Sequence, residues 1–368
     1  MNLARLLDNR TPMRTLCVPL DDRDGRELLV CIVKLTWHVT PEGEPTIHTP
    51  QRSVRTSSTH YPDDGDGAGI RLPGDVVEEK PGTDVLLVGT ARPPDKGPDA
   101  GRLRQLDVTL QVGQSDRLRV DKTLRVHGQR VWQKAMVGVK PGPAAPLQPT
   151  PLTYDRAWGG MDDSDPEQPL RDDRNPIGSG VARDKAELVD QPAPVLDHPD
   201  APLTSRNPAP AGFGAIPRHW DPRAQRHGTA DETWRRERAP IRPSDFDPRA
   251  HCCAPDDQHC DPPLHGDENI SVVGVLPGRP WAFRLPHYAP QFEAKLVDEE
   301  QPRPLTTHLD TYLIDADEGL VELTWRASFT LPRKLERISW VRIAGHPPLA
   351  EELITNLQAK LQPLLAES

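Results

Sequence analysis

"LTTHLDTYLIDADEGLVELTWRASF", residues 305 to 329, decides the fold class. Its second arm sets Val321, Leu323, Trp325, Ala327 and Phe329 on one face, the period of a half-buried strand. "DADEG" between the arms supplies turn chemistry, with Gly319 free to take a positive φ. This is a β-hairpin, and the same grammar recurs along the chain.

"ELLVCIVKLTWHVT" (27–40) places Leu29, Cys31, Val33, Leu35, Trp37 and Val39 on one face and Leu28, Val30 and Ile32 on the other. That predicts a strand buried on both sides at its start and on one side further along. "TDVLLVGTA" (83–91) and "RQLDVTLQVG" (104–113) read as strands, and "DRLRVDKTLRVHGQRVW" (116–132) as a hairpin turning near Val120 to Thr123. After residue 266 come "ENISVVGVLP", "RPWAFRLP", "QFEAKLV" and "LERISWVRI", short and turn-bounded. No helical pattern of 10–15 residues separates these strands, so antiparallel pairing is expected rather than βαβ units.

The middle of the chain differs. Of 43 prolines, about half fall between residues 141 and 265, where apolar periodicity almost vanishes. Composition alone would suggest a disordered linker. Yet Tyr154, Trp158, Phe213, Trp220, Trp234 and Phe246 recur through it, and such side chains bury large areas in cores and interfaces. An ordered, irregular segment anchored by aromatics is expected. "WRRER" (234–238) reads as a solvated turn of helix. In the tail, "PPLAEELITNLQAKL" spaces Leu349, Leu353, Ile354, Leu357 and Leu361 as an apolar helical stripe.

The expected architecture is therefore mainly β, with antiparallel sheets in a sandwich- or barrel-like arrangement, a long Pro-rich irregular segment and a short C-terminal helix. Four regions follow: an N-terminal β region (1–140), the Pro-rich segment (141–265), a second β region (266–346) and an amphipathic helix (347–368).

Charge and composition exclude some functions. A net charge of -10 argues against nucleic-acid binding, which needs a basic face. No run approaches the ~18 apolar residues of a membrane span. "MNLARLLDNRTPMRT" has neither the apolar core nor the cleavage site of a secretory leader, and the five cysteines are an odd number. A cytoplasmic chain with reduced thiols is the expectation.

"HCCAPDDQHC" (251–260), followed by His265, raises the question of a metal. Tetrahedral zinc sites take ligands in pairs spaced by two to four residues. Here Cys252 and Cys253 are adjacent, as are His259 and Cys260, so the reading is a polar loop with half-buried thiols and no metal or other cofactor. A site from Cys252 or Cys253 with His259 or Cys260 and His265 is the competing arrangement, and with nearby acids it would suit a metal-dependent hydrolase. Nucleophile-elbow, phosphate-loop, dinucleotide and zinc-protease motifs are all absent, so no catalytic residues are assigned.

"KPGTDVLLVGTARPP", "LRVHGQRVW", "PLTYDRAWGGMD", "NPIGSG", "PAGFGAIPRHWDPR", "GTADETW", "PSDFDPRAHCCAPDDQ", "LHGDE" and "LDTYLIDADEGLVELTWRA" occur in this order. As a set, from about residue 11 to 344, they resemble a proteobacterial family whose genes sit beside those of type VI secretion. Members of that family are regarded as effector adaptors or chaperones. The resemblance implies a non-catalytic cytoplasmic protein that binds a secreted effector, often linked to a PAAR-type tip domain, and helps load it onto the VgrG spike. Trp158 stands where the family pattern carries Phe, and Ala230 where it carries Tyr. A binding protein needs a rigid frame and a few aromatic or Arg anchors, and the candidates for partner contact are Trp158, Trp220, Arg223 and Trp234. A structural component of the secretion apparatus is the other expectation.

Overall fold

The structure is a computed structural model that describes residues 6–62, 69–114, 116–330 and 338–345. Among these, eleven strands of six or more residues carry the fold. They are β1 (Arg14–Asp21), β2 (Glu27–Val39), β3 (Thr83–Val88), β4 (Gln105–Gln114), β5 (Arg117–His127) and β6 (Asn269–Leu276). The rest are β7 (Arg279–Arg284), β8 (Gln291–Leu296), β9 (His308–Asp315), β10 (Leu320–Thr330) and β11 (Ile338–Ala344).

The expected hairpin of residues 305–329 is β9 and β10, with Gly319 at φ +63° in its turn. It forms the middle of the largest sheet, ordered His259–Cys260, β3, β9, β10, β2, β1. β10 pairs antiparallel with β2 from Leu320 opposite His38 to Thr330 opposite Leu28, joining the two ends of the chain. A second sheet runs Leu196–Asp197, β5, β4, β6, β7, and a third runs Leu7–Asn9, β11, β8, Arg303–Leu305. None of the sheets closes into a barrel. One apolar cluster draws on all three, from Met13 and the odd-numbered face of β2 through Val108, Leu110 and Val112 of β4 to Val341 and Ile343 of β11. Sheets sharing a core across their inner faces make a sandwich-like fold.

Four details differ from the sequence reading or lie outside it. β5 is one continuous strand, and the hairpin turn lies between β4 and β5, before Arg117. Residues 120–123 hold no Gly, Pro or Asn, and Lys122 takes an inward position in step with Val120, Leu124 and Val126 because Asp257 and Gln258 accept from its ammonium. β2 is buried on both faces well past Ile32: Lys34 and Thr36 are fully enclosed. Among the described strands, pairing is antiparallel apart from β9 with β3, Leu7–Asn9 with β11 and the two-residue pair Trp158–Gly159 with Ser179–Gly180, and isolated parallel bridges join Trp132 to Val189 and Ala157 to Leu196. The expected C-terminal helix falls in 347–368, outside the described residues.

The Pro-rich segment is ordered, built of two-residue strands, 3-10 turns and one α-helix, α1 (Glu232–Glu237), which Asp231 caps through the Trp234 N–H. Buried polar side chains pin it to the frame. Gln258 donates from Nε2 to the carbonyls of Val85 and Phe213, and its Oε1 accepts from Lys122. Phe213, Ala211 and Leu196 enter the main core. Of the six aromatics read from the sequence as anchors, Phe213 enters the main core, Tyr154, Trp220 and Phe246 are buried within the segment, and Trp158 and Trp234 are half-buried.

Candidate partner-binding surface

A cleft of about 670 Å³ opens between the Trp132–Pro141 hairpin and the Pro-rich segment. Trp132, Val139, Trp158, Leu188 and Leu203 supply its apolar wall, and Arg171, Lys185 and Arg206 stand around it. Trp132 and Val139 belong to a tight hairpin, Trp132–Lys134 paired with Val139–Pro141. Trp158 lies on the short parallel pair with Ser179 and Gly180. Gly180 lets the two indoles meet: a Cβ there would fall 2.7 Å from Cζ3 of Trp158 and 3.3 Å from Cζ2 of Trp132, and its φ of +112° disfavours any side chain. Asn175, wholly buried, donates to the carbonyls of Tyr154 and Trp158 and fixes the turn beneath.

The Trp158 indole is oriented rather than free. Its Nε1 donates to Asp172 Oδ2 at 3.1 Å, and Arg174 grips the same carboxylate at 2.9 and 2.7 Å. Burial opposes the Asp172 charge, but the Arg174 hydrogen bonds outweigh it and hold the carboxyl below its ordinary range. The ring is thus locked edge-on to a charged pair with one face toward the cleft wall. A fixed aromatic of this kind loses little conformational entropy when it meets a partner.

Two hairpins carry exposed apolar side chains near the cleft, the first at its tip and the second on its arms. On the first, Met136 is fully exposed and Val137 is 91% exposed, and Gly138 at φ +68° makes the bend. On the second, Met161 and Leu170 lie in the paired arms Met161–Asp162 and Leu170–Arg171, both exposed. Scattered surface apolars need no explanation, but a Met-Val pair held at a turn, next to an indole-lined cleft, is the concentration expected of a contact surface.

Of the four residues singled out from the sequence, only Trp158 lines this cleft. Trp220 is 1% exposed, packs edge-to-face on Tyr154 with centroids 5.6 Å apart, and donates to His219. Arg223 is spent on the carbonyls of Ala250 and Ile216, tying two loops together. Trp234 is half-buried on α1 and donates to the Ile241 carbonyl. Trp132 and the Met136–Val137 tip were missed. The available signal was "KAMVGVK", an apolar run ending on a turn glycine between two lysines.

The opposite face of the large sheet carries a sealed layer of charge. Lys34 Nζ lies 2.5 Å from Asp75 and 3.1 Å from Glu322; Arg55 adds a 2.7 Å contact to Glu322, and Arg326 pairs with Asp310 at 2.7 Å. Lys80 meets Asp84 at 2.9 Å and Thr311 at 2.9 Å. Burial works against the Glu322 charge, yet Lys34 and Arg55 pull its pKa down to about 2. Asp84, with Lys80, His259 and the Cys253 N–H around it, is likewise held well below the usual carboxylate range. Each of these ions has a counter-ion within the layer.

The "HCCAPDDQHC" stretch meets this layer. Donor atoms of Asp84, Cys252 and His259 lie within 4.8 Å of one another, the one grouping of potential metal ligands among the described residues. His265 is exposed and stays outside it. A cation there would meet Lys80, which already places a positive charge on Asp84 at 2.9 Å, and Cys252 Sγ turns to the Pro81 carbonyl.

No helix among the described residues is long and apolar enough to cross a membrane. No curated protein and no solved structure matches the chain. One family model does, over residues 24–326, a span that takes in the second sheet, most of the largest one, the ionic layer and the whole cleft-bearing segment, but not β1, Leu7–Asn9 or β11. By that match the chain belongs to DUF2169, a family described as an uncharacterized protein conserved in bacteria.

Proposed function

We propose that this chain is a non-catalytic adaptor or chaperone that binds a type VI secretion effector in the cytoplasm, one linked to a PAAR-type tip domain, and helps load it onto the VgrG spike. The fully exposed Met136–Val137 tip beside the Trp132–Trp158 cleft is the observation that carries the reading. Aromatic anchors in a concave, partly apolar site dominate protein–protein binding energy, and Met-rich edges adapt to the partner's shape. The ordered set of sequence motifs gives the partner class.

The test is co-expression with each neighbouring open reading frame, then affinity capture and size-exclusion chromatography. One effector or tip protein should co-elute with the wild-type chain. Met136→Asp with Val137→Asp, and separately Trp158→Ala, should each weaken the complex by about 2 kcal/mol or more, roughly thirty-fold in Kd. Circular dichroism of the tip variant should match wild type, because both side chains lie in solvent. If every neighbour elutes apart, the adaptor reading fails. If a partner binds both variants as tightly as wild type, the surface lies elsewhere.

A further inference from the structure

Cys17 on the edge strand β1 stands directly opposite Cys31 on β2. Their sulfurs lie 2.9 Å apart, with the Cys17 thiol donating to Cys31 Sγ, and both are free thiols. A disulfide needs Cα atoms about 4.4–6.8 Å apart with facing Cβ atoms, and directly opposed residues of an antiparallel pair sit about 4.5–5.5 Å apart at Cα. The register alone therefore meets the demand, without backbone movement. The other three cysteines are placed differently. Cys252 and Cys253 are chain neighbours, Cys252 Sγ turns to the Pro81 carbonyl, and Cys260 Sγ turns to that of Arg119.

We propose that Cys17 and Cys31 are a reversible thiol–disulfide site that fastens β1 to β2 when the chain meets a small-molecule disulfide such as oxidised glutathione. The two sulfurs divide the roles by access. Cys17 is half-buried at the sheet edge, and Cys31 is wholly buried beneath it. The Cys17 thiolate attacks one glutathione sulfur, the glutathione S–S bond breaks, and one glutathione thiolate leaves. Cys31 then gives its proton to a departing thiolate and attacks Cys17 Sγ, expelling the second glutathione. Two protein thiols and one oxidised glutathione become one protein disulfide and two reduced glutathiones. Contact with the Cys17 sulfur and burial both push the Cys31 thiol up, so Cys31, already the enclosed member of the pair, resolves the mixed disulfide rather than starting the exchange. The bridge matters because β1 ends the sheet and pairs on one side only among the described residues, the strand most prone to part from its neighbour.

This inference does not depend on the partner-binding reading. Its test is incubation of the full chain with oxidised glutathione at neutral pH, alkylation of remaining thiols and mass mapping of tryptic peptides. The expected result is a cross-linked pair of peptides holding Cys17 and Cys31, lighter by two hydrogens, with two of the five thiols lost and both regained on adding dithiothreitol. Cys252→Ser should form the same bridge, and Cys17→Ser should form none. Glutathione left on Cys17 without a cross-link, a bridge between other cysteines, or retention of all five thiols would each overturn the proposal. The wild-type map decides the matter even if Cys17→Ser folds poorly.

Discussion

Lys34 shows most sharply what one buried residue decides. It has no exposed surface, and its ammonium sits between Asp75 and Glu322. Desolvating a charge is costly, and attraction to two carboxylates offsets that cost only while all partners stay in place. Lys34→Ala should therefore destabilise the fold by about 3–5 kcal/mol, because two carboxylates are left enclosed with less compensation; urea unfolding gives the number, and a loss under 1 kcal/mol would mean that Arg55 or water replaces the ammonium. The same layer sets an acid limit. Glu322 has a folded pKa of about 2 against an ordinary 4.5, so its contribution is complete above pH 4.5 and disappears as pH falls toward 2. His251 and His227 act earlier. Burial, aided by nearby arginines, lowers them from 6.5 to about 3 and about 4, so the unfolded chain takes up protons first and stability declines as pH drops below 6.5. Melting temperature followed from pH 8 to pH 3 should hold level, start to fall near pH 6.5 and fall more steeply below 4.5. A flat profile down to pH 5 would show that these two histidines protonate freely in the folded state.

At the level of elements, legibility followed local chemistry. β2, β3, β4 and the β9–β10 hairpin were readable because alternation and turn residues are encoded within a dozen positions. The β4–β5 turn was misplaced because Asp121-Lys122 looks like turn chemistry. What keeps β5 straight is Lys122 reaching Asp257 and Gln258, a contact between distant stretches that no local pattern encodes. Burial of Lys34 and Thr36 was hidden for the same reason: a lysine in alternation reads as the wet face until its partner carboxylates are known. The cleft was half legible. Trp158 was singled out, but Trp220 and Arg223 could not be told from surface anchors, since an internal pin and an interface anchor have the same composition. Gln258 is where the irregular segment depends on the sheet. Gln258→Leu removes a donor from the Val85 and Phe213 carbonyls and one acceptor from the Lys122 ammonium, which keeps Asp257, at about 1–3 kcal/mol for the buried hydrogen bonding lost. The expected outcome is preferential trypsin cleavage within residues 141–265 under conditions where the wild-type segment resists. Equal protection in both proteins would mean that the aromatic anchors hold the segment without this side chain.

For the molecule as a whole, topology makes the regions interdependent. β2 from the start of the chain lies between β1 and β10, and β3 is held between the short His259–Cys260 strand and β9, so the large sheet takes strands from both ends and the middle. The main core mixes all three β-bearing stretches, from Met13 to Ile343. Pairings this distant in sequence are closed late and slowly, and the main core belongs to no single stretch. Residues 1–140 expressed alone would expose the full inner edge of β2, a row of unpaired backbone donors and acceptors beside Leu29, Val33 and Trp37, and would lose β9 from β3. An open apolar strand edge is an aggregation template. The 1–140 fragment should therefore be insoluble or unfolded. The full chain should unfold in urea as one transition, with tryptophan fluorescence and far-ultraviolet circular dichroism superimposing. Trp132, Trp158, Trp220 and Trp234 lie on the cleft-bearing segment, Trp37, Trp281, Trp325 and Trp340 lie on sheet strands, and the dichroism reports mainly on the sheets. Superposition thus means that the Pro-rich segment and the sheets are lost together. A separate, earlier fluorescence transition would instead make the Pro-rich segment its own cooperative unit, held against a sheet that survives without it.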